Sequence, residues 1–183
     1  KDPVPLFGDY NIFWIFNDKG DTHTETGGLP IGLEVRAQAF AFSANNEINN
    51  MTFYQYQVIN RSNDSLTQTY FGVWCDPDLG NATDDYVGCD VSLGLGYVYN
   101  GDPFDDGGAG YGNQPPCAGI DFFKGPLADP NDGIDNNHDG QIDEIGETCS
   151  MSKFVYYVNT NGIPTGNPAV TDDYYDYLSG FWL

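Results

Sequence analysis

The densest group of candidate metal ligands lies between Asp132 and Glu144, in the sequence DGIDNNHDGQIDE. Asp135, Asn137 and Asp139 occupy alternate positions, which places three side-chain oxygens along one short segment. Gly140 follows at the point where a tight loop needs a residue that adopts positive φ. This spacing is typical of the first half of an oxygen-ligand calcium loop, with side chains at positions 1, 3 and 5 and glycine at 6.

The second half of this segment departs from the EF-hand pattern. The Gln141 carbonyl and the Asp143 side chain fall at positions 7 and 9, but Gly146 stands where an EF-hand has a bidentate Glu at 12. We therefore predict a calcium loop of a different type, with one or two Ca²⁺ ions bound in the chain as a whole. The acid on the far side of the loop is one of three residues: Glu144, Glu147 or Asp132.

A second acidic cluster lies in the sequence CDPDLGNATDDYVGCD, which runs from Cys75 to Asp90. Carboxylates that are gathered without cations raise one another's pKa and destabilise the fold, whereas a bound Ca²⁺ turns the same repulsion into coordination. We predict a second cation site here, and the alternative is an acidic loop that faces solvent. The candidate ligands are Asp76, Asp78, Asp84, Asp85 and Asp90.

The charge of the chain excludes some partners. The formal net charge is −21, with 27 acidic residues against six Lys and Arg, and no basic residue occurs between Arg61 and Lys124. Phosphate contacts and anionic membranes both require Lys and Arg, so we expect neither nucleic acid nor membrane insertion. The 13 Tyr, 12 Phe and three Trp indicate a folded chain, because disordered acidic segments are poor in aromatic residues.

The four cysteines predict disulfides rather than a zinc site. None of them belongs to a CxxC pair, and their neighbours are Asp rather than His. Four cysteines allow three pairings, and the sequence does not choose among them. We favour Cys75 with Cys89 and Cys117 with Cys149, because each bridge would brace one acidic loop. Disulfides together with calcium loops are typical of proteins outside the cytoplasm.

Short segments predict that antiparallel strands position these loops. Segments 31–42 and 51–59 alternate with a period of two, and the others are apolar runs rich in aromatic and β-branched residues. We expect an all-β fold, an antiparallel β-sandwich with long calcium-binding, disulfide-braced loops. The predicted strands are 11–16, 31–42, 51–59, 66–74, 93–99 and 151–159, and 120–123 is a short apolar segment. Near the end, Thr171 or Asp172 is expected to cap a short helix that ends near Gly180.

Length and composition predict a single β-rich domain over residues 1–183, with acidic loop insertions at about 75–90 and 125–149. The sequence has no signal peptide and no run of about 18 apolar residues. Because it begins at Lys1 without a starting Met, we expect a piece of a longer secreted protein.

Several phrases resemble a region of large cell-surface and secreted proteins of Bacteroidota-type bacteria, which the type IX secretion system exports. They include YQVINRS, GVWCDPDLGNATDDYVGCD, GYVYNGD, GIDFFKGP and DDYYDYLSGFW, and they occur in the same order from about Phe7 onwards. The resemblance implies an extracellular or cell-surface location. It implies neighbouring domains of the same polypeptide and the type IX secretion machinery as partners, and it implies no catalytic activity.

The segment 132–144 also resembles the short metal-binding repeat DGxDNDxDGxxDE of bacterial surface proteins. Asn137 replaces an Asp of that repeat, which lowers the charge of the site, and His138 occupies a position that often holds Cys. Some of these repeats are labelled copper-binding, and His138 is compatible with copper. Oxygen ligands without several His, Cys or Met residues favour calcium.

Three functions are compatible with these patterns. The first is a non-enzymatic, calcium-stabilised module with a structural or adhesive role. The second is a glycan-binding module attached to a hydrolase, with Trp14, Trp74 and Trp182 as candidate sugar platforms. The third is a hydrolase with paired carboxylates, such as Asp84 with Asp85 or Asp105 with Asp106. No GxSxG or HExxH motif occurs, so we rank the hydrolase third.

Overall fold

The chain is mostly β, with antiparallel sheets and one short helix near the C-terminus. The computed structural model describes residues 5–181, and the Trp182 interpretation therefore lies outside the described residues. The strands are β1 (Tyr10–Asn17), β2 (Leu33–Ala41), β3 (Phe53–Asn60), β4 (Asp85–Asp90), β5 (Leu95–Asn100), β6 (Phe104–Asp105), β7 (Gly112–Asn113) and β8 (Cys117–Asp121), and the helix is α1 (Thr171–Ser179). Single 3₁₀ turns lie at Glu47–Asn50 and Val91–Leu93.

The chain divides into two compact units, Lys1–Thr69 and Tyr70–Leu183. This is a finer division than the single domain predicted from the sequence. The first unit contains one antiparallel sheet in the order β1-β2-β3, and the second contains a sheet in the order β4-β5-β8 and the two-stranded pair β6-β7. The mostly β class is therefore confirmed, and the packing of two sheets into one sandwich stays a prediction.

The sheet of the first unit confirms three predicted strands. Residues opposite one another across it include Trp14, Ala37 and Tyr56, and Ala37 is completely buried. The polar face of β2 is not fully exposed to solvent. Gln38 on that face is buried, and its Nε2 donates to the Pro5 carbonyl. A buried amide with a hydrogen-bond partner is tolerated inside a sheet.

Two predicted strands are wrong. Residues 66–74, which span the boundary between the two units, and residues 151–159 have no strand ladder. Side chains of both segments pack against α1 or against Phe181 just beyond it instead. Tyr70 contacts Tyr175, Tyr157 contacts Tyr177, and Lys153 lies over the Phe181 ring. The aromatic residues of these segments thus pack on a helix, which requires no backbone pairing.

The helix α1 confirms the predicted helix but not its cap. Val170 is the N-cap residue, and its backbone N–H donates to the Asp173 carboxylate at 3.2 Å. Asp173 in the first turn thus accepts the N–H of the N-cap residue, as in the reciprocal half of a capping box. Neither Thr171 nor Asp172 is the N-cap residue. Gly180 ends the helix at φ 73°, as predicted. Among the described residues no helix is long and apolar enough to cross a membrane.

The carboxylate of Asp18 joins β1 to β2. It accepts the backbone N–H groups of Gly32 and Leu33, each at 2.8 Å, and that of Ile31. Burial by itself would raise the pKa of Asp18, but the hydrogen bonds from Gly32, Ile31 and Leu33 outweigh it, so the pKa lies below its ordinary value.

We expect Asp18→Asn to lower the free energy of unfolding by about 1–2 kcal/mol at pH 7, because the amide NH₂ cannot accept these hydrogen bonds. A lowered folded-state pKa contributes stability above the unfolded pKa of about 4, and this contribution is lost as the pH falls through the folded-state pKa. Urea unfolding at pH 7 and at about pH 3 measures the difference, which should shrink in acid. Asp64→Asn, in an exposed turn, is the control. An equal loss at both pH values would contradict the account.

Candidate metal centre

The segment 135–141 is wound by its own side chains. The Asp135 carboxylate accepts the N–H groups of Asp139 at 3.1 Å and Gly140 at 2.9 Å. Asn137 Oδ1 also accepts the Asp139 N–H, and Asp139 Oδ1 accepts that of Gln141, each at 2.9 Å. Gly140 takes φ 94°, in the left-handed region that favours glycine. The alternate acceptors at 135, 137 and 139 therefore curl the chain as the spacing predicts.

Asp143 closes this loop onto its beginning. Its Oδ1 accepts the N–H groups of Asp132 at 2.9 Å and Gly133 at 3.2 Å. Asp143 itself has φ 55°, a conformation that non-glycine residues seldom adopt. Asp132 and Asp143 thus lie close together. The contact is made by the backbone N–H of Asp132 and the side chain of Asp143, and not by two carboxylates that face one metal position.

Glu144 and Glu147 lie at the base of the loop. Glu147 is only 5% exposed, and its Oε1 accepts the Asn136 N–H. Glu144 Oε1 accepts the Asn137 Nδ2 at 2.7 Å. The other oxygen of each side chain, Oε2, is buried without a hydrogen-bond partner among the described residues. Buried acceptors of this kind are costly unless something satisfies them.

Backbone pairing between 125–128 and 147–149 places Glu147 in this position. The Ala128 N–H donates to the Glu147 carbonyl at 3.0 Å, and the Cys149 N–H donates to the Pro126 carbonyl at 2.9 Å. The Gly125 N–H donates to the Cys149 carbonyl at 2.9 Å. These contacts join residues about 20 apart in sequence, so local spacing could not show which acid reaches the base of the loop.

The loop is strongly negative and lacks a basic partner. Burial raises the pKa of the Cys149 thiol, and the negative charges of Asp132, Glu147 and Asp129 raise it further. The ion pairs found within residues 5–181 both involve Glu34, which pairs with Arg36 and Arg61 in the first unit. The Nδ1 atom of His138 lies 2.8 Å from Ser150 Oγ.

The donor set fits a hard cation in chemistry, although the predicted ligands do not all converge. Across residues 5–181, no three His, Cys, Asp or Glu side chains are gathered as a metal ion requires. Several predicted carboxylates turn to backbone N–H groups instead, and the orphaned oxygens are those of Glu144 and Glu147. Those two side chains are the residues that would hold Ca²⁺.

The five predicted ligands of the second cluster do not form one site. Asp76 and Asp78 are exposed, and Asp90 lies at the far end of β4 from Asp85. The Asp90 carboxylate instead accepts the Ser92 hydroxyl at 2.6 Å and the Leu93 N–H at 3.2 Å, and these hydrogen bonds, that from Ser92 first, lower its pKa. Residues 85–90, predicted as loop, are a strand because they pair with β5.

Asp105 and Asp106 both accept hydrogen bonds that join neighbouring segments of the chain. Asp105 is 1% exposed, and its two oxygens accept the N–H groups of Asn81 at 3.1 Å and Tyr111 at 2.7 Å. Asp106 accepts the Asn81 Nδ2 at 3.1 Å. A carboxylate held on both oxygens by backbone donors is poorly suited to acid–base catalysis.

The predicted disulfides are not formed in the structure. Cys75, Cys89, Cys117 and Cys149 are all free thiols. Across the sheet β4-β5-β8, Cys89 is in register with Gly96 and Ile120. Cys117 of β8 is in register with Tyr99 instead. Because successive side chains point to opposite faces, Cys89 and Cys117 lie on different sides of their sheet.

Comparison with models of protein families, with curated proteins and with solved structures finds no match to this chain. The function of this chain is therefore inferred from its own sequence and structure.

Glu147→Gln should have opposite effects with and without calcium. In EDTA we expect the variant to be more stable by about 1 kcal/mol, because it removes a buried negative charge that has an unpaired oxygen. With calcium in excess the wild type should be the more stable protein. Urea unfolding under both conditions measures the crossing, and Glu25→Gln, an exposed acid of the first unit, is the control. A variant that is weaker under both conditions would show a purely structural role.

Proposed function

We propose that this chain is a non-enzymatic, calcium-stabilised module of a secreted or cell-surface protein, with a structural or adhesive role. The observation that carries the proposal is the pair of buried, unpaired oxygens of Glu144 and Glu147 at the base of an acidic loop. Ca²⁺ binds carboxylate oxygens and completes its coordination with backbone carbonyls and water, so two carboxylates suit it. The side chains of this loop bond mainly to its own backbone, which suits a stabilising role more than catalysis.

The location and the partners rest on the resemblance of the sequence. Its phrases are similar to those of proteins that leave the cell through the type IX secretion machinery, and calcium loops suit an extracellular setting. Neighbouring domains of the same polypeptide are the expected partners, and the two β-rich units would act as spacers or contact surfaces. The packing of antiparallel sheets into a β-sandwich is also part of what we propose.

Removal of calcium should lower the melting temperature of the chain. An ion that binds only the folded state adds about 2.7 kcal/mol at a hundredfold excess over its Kd, which corresponds to roughly 5–10 °C for a chain of this size. Circular dichroism melts in Ca²⁺ and in EDTA measure the shift.

Ionic strength must be held constant in this experiment, because a chain with net charge −21 is also stabilised by screening. Equal ionic strength from NaCl provides that control, and Mg²⁺ tests whether the site prefers the larger ion. Identical melting temperatures in Ca²⁺ and EDTA would contradict the proposed function.

Glycan binding is the second candidate, and exposed tyrosines favour it more than the tryptophans do. Tyr86 and Tyr99 are opposite one another on β4 and β5 with ring centroids 6.1 Å apart, and Tyr97 lies 6.1 Å from Tyr99. A side chain at Gly88 would meet the Tyr97 ring at 2.5 Å, so the ring lies against the sheet. All three rings are exposed, which makes a row of flat aromatic surfaces on which sugars can stack.

The tryptophans support this candidate less. Trp14 and Trp74 belong to different units, and the Trp74 Nε1 donates to the Tyr157 hydroxyl at 2.6 Å. If the tyrosine row binds glycans, Tyr97→Ala and Tyr99→Ala should each weaken retention on a polysaccharide affinity gel about fivefold or more, by loss of stacking area. Tyr156→Ala, which removes an exposed tyrosine elsewhere in the second unit, is the control. Unchanged retention in both variants would remove this candidate.

A further inference from the structure

The start of β4 and the end of β5 bring three polar side chains to one end of the hairpin, where Asp84 and Asp85 are half-buried and Asn100 is buried. Asp85 is opposite Asn100, and the next pair on the same face is Val87 with Val98. Val98 is 3% exposed and Asn100 is 8% exposed, so an amide lies beside the apolar core of the sheet. Asp84 is joined to the same end, because its carbonyl accepts the Gly101 N–H at 2.8 Å.

Each of these three side chains has an unsatisfied oxygen. The Oδ1 atoms of Asp84, Asp85 and Asn100 are buried and have no hydrogen-bond partner in the part of the chain that the structure describes. Asp85 Oδ2 is already used, since it accepts the Leu79 N–H at 2.9 Å. Three acceptors therefore lie at one end of a hairpin without a matching donor.

The orientation of the Asn100 amide is fixed by its other atom. Asn100 Nδ2 donates to the Asp102 carbonyl at 2.9 Å. A flipped amide would place its oxygen against that carbonyl oxygen, which two acceptors do not tolerate. The unpaired atom of Asn100 is therefore an oxygen, and it adds a neutral ligand to the two acids Asp84 and Asp85.

We propose that Asp84, Asp85 and Asn100 form a binding site for a hard divalent cation, Ca²⁺ by ligand chemistry. Two carboxylates and one amide oxygen are hard ligands, and water or backbone carbonyls complete the usual six to eight oxygens. The site shares no residue with the loop at 132–147. It deepens the proposed function by a second ion, and either site can fail without the other.

This site differs from the cluster predicted from the sequence. Strand geometry puts Asp90 about 16 Å along β4 from Asp85, so these two acids cannot share an ion. Asp105 accepts the N–H of Asn81, close to Leu79, whose N–H donates to Asp85, but both Asp105 oxygens have backbone donors. Asp84 and Asp85 are thus joined by an amide 15 residues after Asp85, rather than by Asp90.

A cation at this position would have a structural consequence. It would tie the strand ends at Asp85 and Asn100 to the segment around Leu79, which Asp85 already contacts. Leu79 is itself buried, so the ion would fix an irregular segment against the hairpin.

Isothermal titration of the whole chain with Ca²⁺ tests the site. We expect two ions per chain in the wild type. Asp85→Asn and Asn100→Leu should each weaken one of the two affinities about tenfold or more, because each removes a ligand or its charge. Asp84→Asn removes the charge of the second acid and should weaken the same affinity. Asp121→Asn removes an exposed acid from β8 of the same sheet and should titrate as the wild type.

Folding is checked by near-UV circular dichroism and by melting in EDTA. Asn100→Leu removes an unpaired oxygen beside Val98 but also the Nδ2 donor to the Asp102 carbonyl, so its melting temperature in EDTA should stay close to that of the wild type. If it does not fold, Asp84→Asn and Asp85→Asn decide the question. Wild-type isotherms in the Asp85 and Asn100 variants would overturn the site.

Glu147→Gln distinguishes this inference from the proposed function. The variant should keep the ion at Asp84, Asp85 and Asn100 and lose the other. Loss of all calcium binding in Glu147→Gln would overturn the second site, since only the loop would then bind calcium. Retention of one ion that Asp85→Asn abolishes supports it, even if the loop at 132–147 proves to bind none.

Discussion

The fold of the second unit depends on how buried carboxylate oxygens are satisfied. Residues 70–183 contain 19 acidic residues and only two lysines, Lys124 and Lys153, and Lys153 lies over an aromatic ring. Charge pairing cannot neutralise such a surplus. Backbone N–H groups do most of the work instead, as they do for Asp105, Asp135 and Asp143. Charged acceptors that receive backbone donors are among the stronger hydrogen bonds in proteins, and they also fix the path of the chain.

The supply of backbone donors is limited, and this explains where cations are expected. A loop that turns tightly offers N–H groups to the side chains on its inside, so the acids of 135–143 are satisfied within the loop itself. Glu144 and Glu147 lie at the base, where 125–128 and 147–149 already pair with one another. Their remaining oxygens receive no donor among the described residues, and a hard cation is the natural replacement.

Local patterns predicted the first unit well and the second unit poorly. The strands β1, β2 and β3 follow one another and pair with their neighbours, so alternation and short turns were sufficient. In the second unit, the apolar content of 70–74 and 151–159 reflects packing on α1, which sequence composition cannot distinguish from pairing in a sheet. The strand β4 was missed because its aspartates and glycine resemble a loop, whereas pairing with β5 decides its conformation.

The candidate sites show the same division between local and distant information. The spacing of Asp135, Asn137 and Asp139 before Gly140 predicted a tight loop, but not that these side chains accept N–H groups a few residues away. Asn100 gave no signal, since an isolated amide in an aromatic strand has no spacing to measure. Only the register of β4 with β5 places it against Asp85. A run of acids in the sequence therefore overstates a cluster, since backbone donors satisfy many of them. The oxygens proposed to bind a cation are those that the fold buries after the backbone donors have been used.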